Sequence, residues 1–346
     1  GRVLVTAGCA LWLVAWLMCN PTRCPGRVPG WVLAAWAAPM TFTLPVLSTD
    51  AYAYLDLGWQ VATGHDPYVA GLGTAGGPFG ELIVAWRGTQ SPYPAGSLLL
   101  MEQAVRLGGF ALYPSLLMLR VPTVLALAVL WWVLPRLAER VGASARWARW
   151  LVPLNPLVIV HGVGGAHFDI LAAALGVLAI YVAVTRRAFV AAAALVGVAM
   201  LIKQTAGVAL VPIALYAVTS RSAVRRDWAR AMLVVATAGA VFAAVSVVTL
   251  GLGWVGPLGR SSMASSMAPT NVLWSMLRWT FELDAEPPLV VGVVRRVLTT
   301  AALVGAVVFV IARLRGSALR EPVVIGGGLA FAVVGAGPSL RGGDWV

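Results

Sequence analysis

The sequence predicts an all-α, polytopic membrane protein, on three observations: its composition, the length of its apolar runs and the placement of its arginines. Of the 346 residues, 60% are hydrophobic and 11% are charged, so too little polar surface exists to close one water-soluble core. The apolar runs recur at about 17 to 24 residues, the length that crosses roughly 30 Å of hydrocarbon at about 1.5 Å per residue. Lipid offers the backbone no partner, so these runs are expected to be helices.

In chain order, apolar segments lie near residues 3–19, 29–47, 112–134, 150–163, 168–184, 188–202, 205–218, 231–250, 293–312 and 322–337. They predict about ten transmembrane helices in a single membrane-embedded domain over 1–346. The opening at Gly1 and the end at Val346, soon after the last run, are those expected of a fragment or a processed product. The run after Arg2 exceeds a signal-peptide core and reads as a helix. Cys9, Cys19 and Cys24 have no metal-ligand spacing and read as structural thiols.

The net charge of +12 would point to nucleic acid in a soluble protein, but here the arginines punctuate short loops, which is a topology signal. No nucleic-acid partner is expected. Arg136, Arg140, Arg146 and Arg149 form one basic loop, Arg186 and Arg187 a second, Arg221, Arg225, Arg226 and Arg230 a third, and Arg313, Arg315 and Arg320 a fourth. These loops, with Arg23 and Arg27, fall on one side, the cytoplasmic one, only if the apolar stretch 93–108 does not cross.

Within 93–108, Glu102, Gln103 and Arg106 share one arc of a helical projection, and Leu98, Met101, Ala104 and Val105 the other. This is the pattern of a helix lying in the interface. Residues 51–63 divide similarly, with Asp56, Gln60 and Thr63 opposite Tyr54, Leu57 and Val61. The loop 48–111 therefore carries two interfacial helices, and its acidic first half, with Asp50, Asp56, Asp66 and Glu81 against Arg87, places it outside. A second outer loop is expected at 252–290.

Candidate functional residues gather toward that outer side. Asp50 follows Ser48 and Thr49 where the second apolar run meets the interface; a partly desolvated carboxylate there suits a general base toward a hydroxyl, or else a helix cap. His65 and Asp66 occupy a turn before Pro67 and could order the loop or touch a ligand. Asn155-Pro156 and the string His161 to Asp169, with His167 inside it, make a polar corner at two helix ends. The spacing of its histidines is not a zinc motif, so no metal is expected. Lys203-Gln204 interrupts the apolar stretch 189–216 at its outer apex. A cation there needs an anionic partner, a carboxylate or a lipid phosphate, or must snorkel to the interface.

Taken together, Ser48 through Tyr68, the Pro92-Tyr93-Pro94 restart, Leu154-Asn155-Pro156, His161 to Asp169 and the Lys203 break resemble the GT-C polyprenyl-phosphate-mannose-dependent α-1,6-mannosyltransferases of actinobacterial lipomannan and lipoglycan synthesis. The resemblance implies a multi-pass plasma-membrane enzyme with an outward-facing site and Asp50 as catalytic base. It implies polyprenyl-phosphate-mannose as donor, with no other cofactor, and a mannan or lipoglycan acceptor in the membrane. Lys203, Arg260 or Arg278 would hold the donor phosphate. Tyr54, His65, Asp66, His161, His167, Asp169 and Gln204 would shape the sugar and acceptor site. A polyprenyl-lipid flippase is the alternative class, disfavoured by the absence of evident repeated halves; a related enzyme for another sugar is the alternative within the class.

Overall fold

The computed structural model describes residues 2–26, 28–45, 48–83, 86–219 and 224–260. The segments 293–312 and 322–337, Arg278 and most of the loop 252–290 lie outside the described residues. Every described element is helical. In order they are α1 (Arg2–Met18), α2 (Gly30–Phe42), α3 (Asp50–Ala62), a 3-10 turn (Gly80–Leu82), α4 (Ala95–Leu107), α5 (Leu112–Arg140), α6 (Ala145–Leu151), a π-helical segment (Val158–Gly164), α7 (Asp169–Arg186), α8 (Phe189–Ile202), a 3-10 segment (Gln204–Ala209), α9 (Leu210–Thr219), α10 (Val224–Val248) and α11 (Val255–Arg260).

Among the described residues, three helices are long and apolar enough to cross a membrane: Leu112–Arg140, Asp169–Arg186 and Trp228–Val248. Shorter apolar helices cover Ala7–Met18, Phe189–Ile202 and Gln204–Val218. The expected crossing at 150–163 is not one continuous helix. Pro153 and Pro156 separate α6 from the π-helical segment, because proline lacks the N–H that the ladder requires. The break at Lys203 is present: the residue is extended, with φ −147°, between α8 and the 3-10 segment. Phe189 and Tyr216 meet with ring centroids 5.9 Å apart, so α8 and the chain after it fold back as a hairpin with Lys203 at its apex.

Helix directions sort the charges. Helices α5 and α7 end, and α8 and α10 begin, at one end of the bundle, which places Arg136 to Arg149, Arg186 and Arg187, and Arg230 there. Asp50, Asp169 and Lys203 gather at the other. The helix α4 stays at that second end. Its start docks on the last turn of α8, where Ser97 Oγ donates to the Ile202 carbonyl at 2.6 Å, and α5 then begins beside the end of α2, where Tyr113 donates to the Phe42 carbonyl at 2.8 Å.

The core divides accordingly. One apolar cluster fills the bundle around Leu130, Leu137, Ile180 and Val196, and a second packs α3 and α4 over the opposite end through Leu57, Leu98, Met101 and Phe168. The α4 pattern follows the expected one, with Leu98, Met101, Ala104 and Val105 buried and Gln103 and Arg106 exposed, except that Glu102 is half-buried and pairs with Arg106 at 2.8 Å. The α3 pattern differs: Asp56 and Gln60 are fully buried. The loop after α3 folds over them, so Asp56 Oδ2 accepts Gln60 Nε2 at 2.8 Å and the Gly73 amide at 2.9 Å. Helical projection treats polar residues as water-facing, whereas here they pair with a loop brought back from 17 residues away.

Helices α3 and α4 touch backbone to backbone at Gly58. A Cβ there would lie 2.3 Å from the Met101 carbonyl oxygen, so no side chain fits without separating the helices. Gly58→Val is expected to destabilise the protein by about 3 kcal/mol or more. A large fall in the melting temperature of the detergent-solubilised protein would be the readout; an unchanged melt would refute the close crossing.

Candidate active site

Two acidic helix starts and one lysine define the site. Thr49 occupies the cap position of α3 without a side-chain cap bond, and Asp50 is the first helical residue. The Asp50 amide donates to Ser48 Oγ at 3.2 Å, which bends the chain into the helix. The carboxylate thus sits in the first turn, where the helix dipole favours negative charge. It is 24% exposed, enough to meet a ligand while resting on protein.

Against Asp50 lies His167, delivered by an unusual backbone. The π-helical segment ends at Gly164, and Ala166 adopts a left-handed conformation with φ 53°. The turn packs so closely that a Cβ on Gly165 would lie 2.6 Å from His167 Cδ2. π-Helical turns and strained residues of this kind concentrate at functional sites.

His167 is 1% exposed, and its Nε2 lies 4.0 Å from Asp50 Oδ2. A hydrogen-bonded chain holds the ring. Tyr93 Oη donates to Tyr54 Oη at 3.3 Å, Tyr54 Oη pairs with His167 Nδ1 at 3.0 Å, and His167 Nε2 pairs with Ser48 Oγ at 3.3 Å. With Tyr54 donating onward, Nδ1 accepts and Nε2 carries the proton, a tautomer inferred from the network. Aromatic faces complete the wall: Phe168 stacks on Tyr54 at 6.1 Å, and His161 stacks on His167 at 3.9 Å and 16°.

Burial, then the neighbouring His161 and Lys203, push the His167 pKa well below its ordinary range. The ring is therefore neutral at physiological pH and acts as a dipolar hydrogen-bonding group beside Asp50. The depressed value has a sign. Above about pH 6.5 neither folded nor unfolded His167 is protonated; below it, the unfolded chain gains a proton that the folded chain refuses. Stability is expected to fall as pH drops from about 6.5 toward 5, and less steeply in His167→Gln; parallel pH-dependent melting curves for the two proteins would overturn this.

The lysine completes the group. Asp169 opens α7 two residues after His167, and its Oδ1 pairs with Lys203 Nζ. The two side chains are 18% and 13% exposed for Lys203 and Asp169 respectively. Asp50, Tyr54, His161, His167, Asp169 and Lys203 are thus brought to one place by α3, the π-helical segment, α7 and the apex of the α8 hairpin. Gln204 follows Lys203 and is half-buried.

Other expected site residues stand elsewhere. His65 and Asp66 follow the far end of α3, about 18 Å along the axis from Asp50. His65 Nδ1 pairs with Thr63 Oγ1 at 2.9 Å and its ring stacks on Trp59. Asp66 Oδ1 accepts the Tyr68 amide at 2.8 Å. Both order the turn. Asn155 likewise accepts the Leu157 amide at 2.9 Å. Arg260 ends α11, and Arg278 lies outside the described residues.

Three participants were not singled out by sequence. Ser48 and Tyr93 lie in strings that carry the family resemblance, but neither is assigned a role there. Arg120, fully buried in α5, donates Nη1 to the carbonyls of Thr41, at 2.8 Å, and Thr43, and Nη2 to that of Gly164 at 2.8 Å. It ties the end of α2 to the end of the π-helical segment, the two strands of chain that lead into Asp50 and His167. A charge inside an apolar run was the available signal. Among the described residues, no group of three His, Cys, Asp or Glu side chains is placed to hold a metal ion.

Comparison with known proteins bears on this arrangement. Residues 1–220 match the family profile described as alpha-(1->6)-mannopyranosyltransferase, N-terminal domain. The chain is 31% identical over 300 residues to alpha-(1->6)-mannopyranosyltransferase A of Mycobacterium tuberculosis, covering 82% of this chain and 58% of that protein. It is 29% identical over 299 residues to alpha-(1->6)-mannopyranosyltransferase A of Corynebacterium glutamicum, covering 80% of this chain and 61% of that protein. With alpha-(1->6)-mannopyranosyltransferase B of Corynebacterium glutamicum it shares 31% identity over 137 residues, 38% of this chain and 23% of the other. The chain thus spans about six tenths of the length of the first two relatives. No solved structure matches it. With the profile covering well over half of its residues, the chain belongs to the alpha-(1->6)-mannopyranosyltransferase family.

Proposed function

We propose that this chain carries the catalytic end of a membrane-embedded, inverting glycosyltransferase that moves mannose from polyprenyl-phosphate-mannose to a mannan or lipoglycan acceptor, forming an α-1,6 linkage. The reading places the site on the outer face of the plasma membrane, because the basic loops among the described residues gather at the opposite end of the bundle and cytoplasmic loops are rich in arginine. The observation that carries it is the part-exposed Asp50 carboxylate set against neutral His167, with Lys203 at the same end.

The chemistry follows from that placement. Asp50 takes the proton of the acceptor hydroxyl, whose oxygen attacks the anomeric carbon from the face opposite the phosphate. The bond from that carbon to the phosphate oxygen breaks, and the lipid monophosphate leaves with the electron pair. Lys203 neutralises the charge that develops on it, sharing the ammonium with Asp169; three N–H donors allow both contacts. Arg260 and Arg278 are further candidates for the phosphate. His167, held by Tyr54, Tyr93 and Ser48, and His161 shape the acceptor side, and Asp169 and Gln204 the sugar side. With a monophosphate leaving group met by a lysine, the reaction is proposed to proceed without a metal.

Membranes carrying the chain should transfer radiolabelled mannose from polyprenyl-phosphate-mannose to a synthetic α-1,6-mannoside, to the same extent with and without EDTA. Transfer abolished by EDTA and restored by a divalent cation would overturn metal independence. Transfer from another polyprenyl-phosphate sugar in preference to mannose would overturn the choice of sugar.

A further inference from the structure

The end of the bundle opposite the catalytic residues contains two adjoining cavities that the reaction does not use. One, of about 340 Å³, is lined by Val28, Pro29, Gly30, Trp131 and Arg149. The other, of about 260 Å³, shares Val28 and Pro29 and continues between Trp16, Trp36, Trp150 and Leu154. The first has a cation in its wall and the second is lined almost entirely by apolar surface.

The walls are built, not loose. Trp16 and Trp150 stack at 4.0 Å and 2°, and each indole N–H donates to the other residue's carbonyl, at 2.9 and 2.8 Å. This reciprocal pair pins α6 to α1. The Arg149 guanidinium lies 5.2 Å from the Trp131 ring centroid, so its plane is held at the cavity wall. Around it, Arg146 donates to the Pro25 carbonyl, Arg136 lies over Trp132 at 4.2 Å, and Arg23 and Arg140 are exposed.

We infer that these joined cavities bind a phosphate-headed anionic lipid, with the phosphate on Arg149 and an acyl chain along Trp36, Val32 and Leu154. Charge complementarity selects the head: a planar guanidinium at the mouth of a basic surface matches phosphate. The aromatic second cavity selects a lipid over a soluble anion, since a free phosphate has nothing to place there. Basic pockets between helices flanked by tryptophans are a recurrent headgroup site in membrane proteins. The site is distinct from the proposed donor site, because the 13 residues of α2, about 18 Å, separate Gly30 from the end of the helix that leads to Asp50.

Native mass spectrometry of the intact chain from nanodiscs of equal phosphatidylglycerol and phosphatidylcholine tests this. The parent should retain phosphatidylglycerol preferentially. Arg149→Gln should weaken that retention roughly fivefold, and Gly30→Leu, which fills the first cavity and leaves every charge in place, should weaken it comparably. A Cβ on Gly30 meets only Trp131 Nε1, at 3.9 Å, so this variant is expected to fold and decides the matter if Arg149→Gln does not. Arg186→Gln, an exposed arginine at the same end outside both cavities, should change nothing. No preference in the parent, undiminished retention in Gly30→Leu, an equal loss in Arg186→Gln, or displacement of the lipid by millimolar inorganic phosphate alone would each overturn the assignment.

Discussion

Asp50→Asn is expected to lower mannosyl transfer by about 10² to 10⁴-fold, the usual contribution of a positioned general base, while leaving the protein folded. The amide is isosteric with the carboxylate and cannot take a proton, so the loss isolates the chemical step. The local structure should tolerate it, because the contact that bends the chain into α3 runs from the Asp50 amide to Ser48 Oγ and does not use the side chain. His167 cannot substitute as base: its ring is buried, already paired through both nitrogens, and aimed at Ser48 and Tyr54. The measurement is transfer of labelled mannose by membranes containing equal amounts of parent and variant, with melting temperatures compared in parallel. Equal transfer by both would remove Asp50 from the base role; a collapsed melt in the variant would instead assign it to structure.

Arg120→Met is expected to be the most destabilising single change to this end of the protein, by about 3 to 5 kcal/mol. The side chain is fully buried and gathers three carbonyl oxygens. Methionine fills a similar volume but leaves those carbonyls without their donor, in surroundings that water reaches poorly. Two of them close the end of α2 and the third closes the π-helical segment, so their release loosens both approaches to the site. Arg120→Lys should rescue only a fraction, since a single ammonium lacks the planar fork that reaches two directions at once. Thermal melts of the three solubilised proteins give the order parent, lysine, methionine; a methionine variant as stable as the parent would show that the clamp contributes nothing.

These two residues mark different degrees of legibility. Asp50 was accessible from sequence because its place, at the junction of an apolar run and an acidic loop, is a one-dimensional property. Lys203 was accessible for the same reason: a cation that interrupts 28 residues of apolar chain must mark a bend or a partner, and the structure supplies both. Arginine counting predicts that 93–108 does not cross, and in the structure α4 packs at one end of the bundle, against the last turn of α8. Asp56 and Gln60 went the other way. Their helical spacing is that of a water-facing stripe, and only the return of the Gly71 to Gly73 turn over α3 makes them a buried pair.

By itself the sequence determined that the described residues are helical, where the apolar runs begin and end, and that the arginines cluster between those runs, because these depend on local composition and on the cost of exposing backbone to lipid. Only the tertiary structure decided that Tyr93, Tyr54, His167 and Ser48 form one hydrogen-bonded chain beside Asp50, and that Asp169 partners Lys203. Those pairs are separated by 113 residues for Tyr54 and His167, and by 34 for Lys203 and Asp169. Contacts at such separations depend on how helices pack, on a π-helical turn and on a left-handed Ala166, none of which the local pattern of residues encodes.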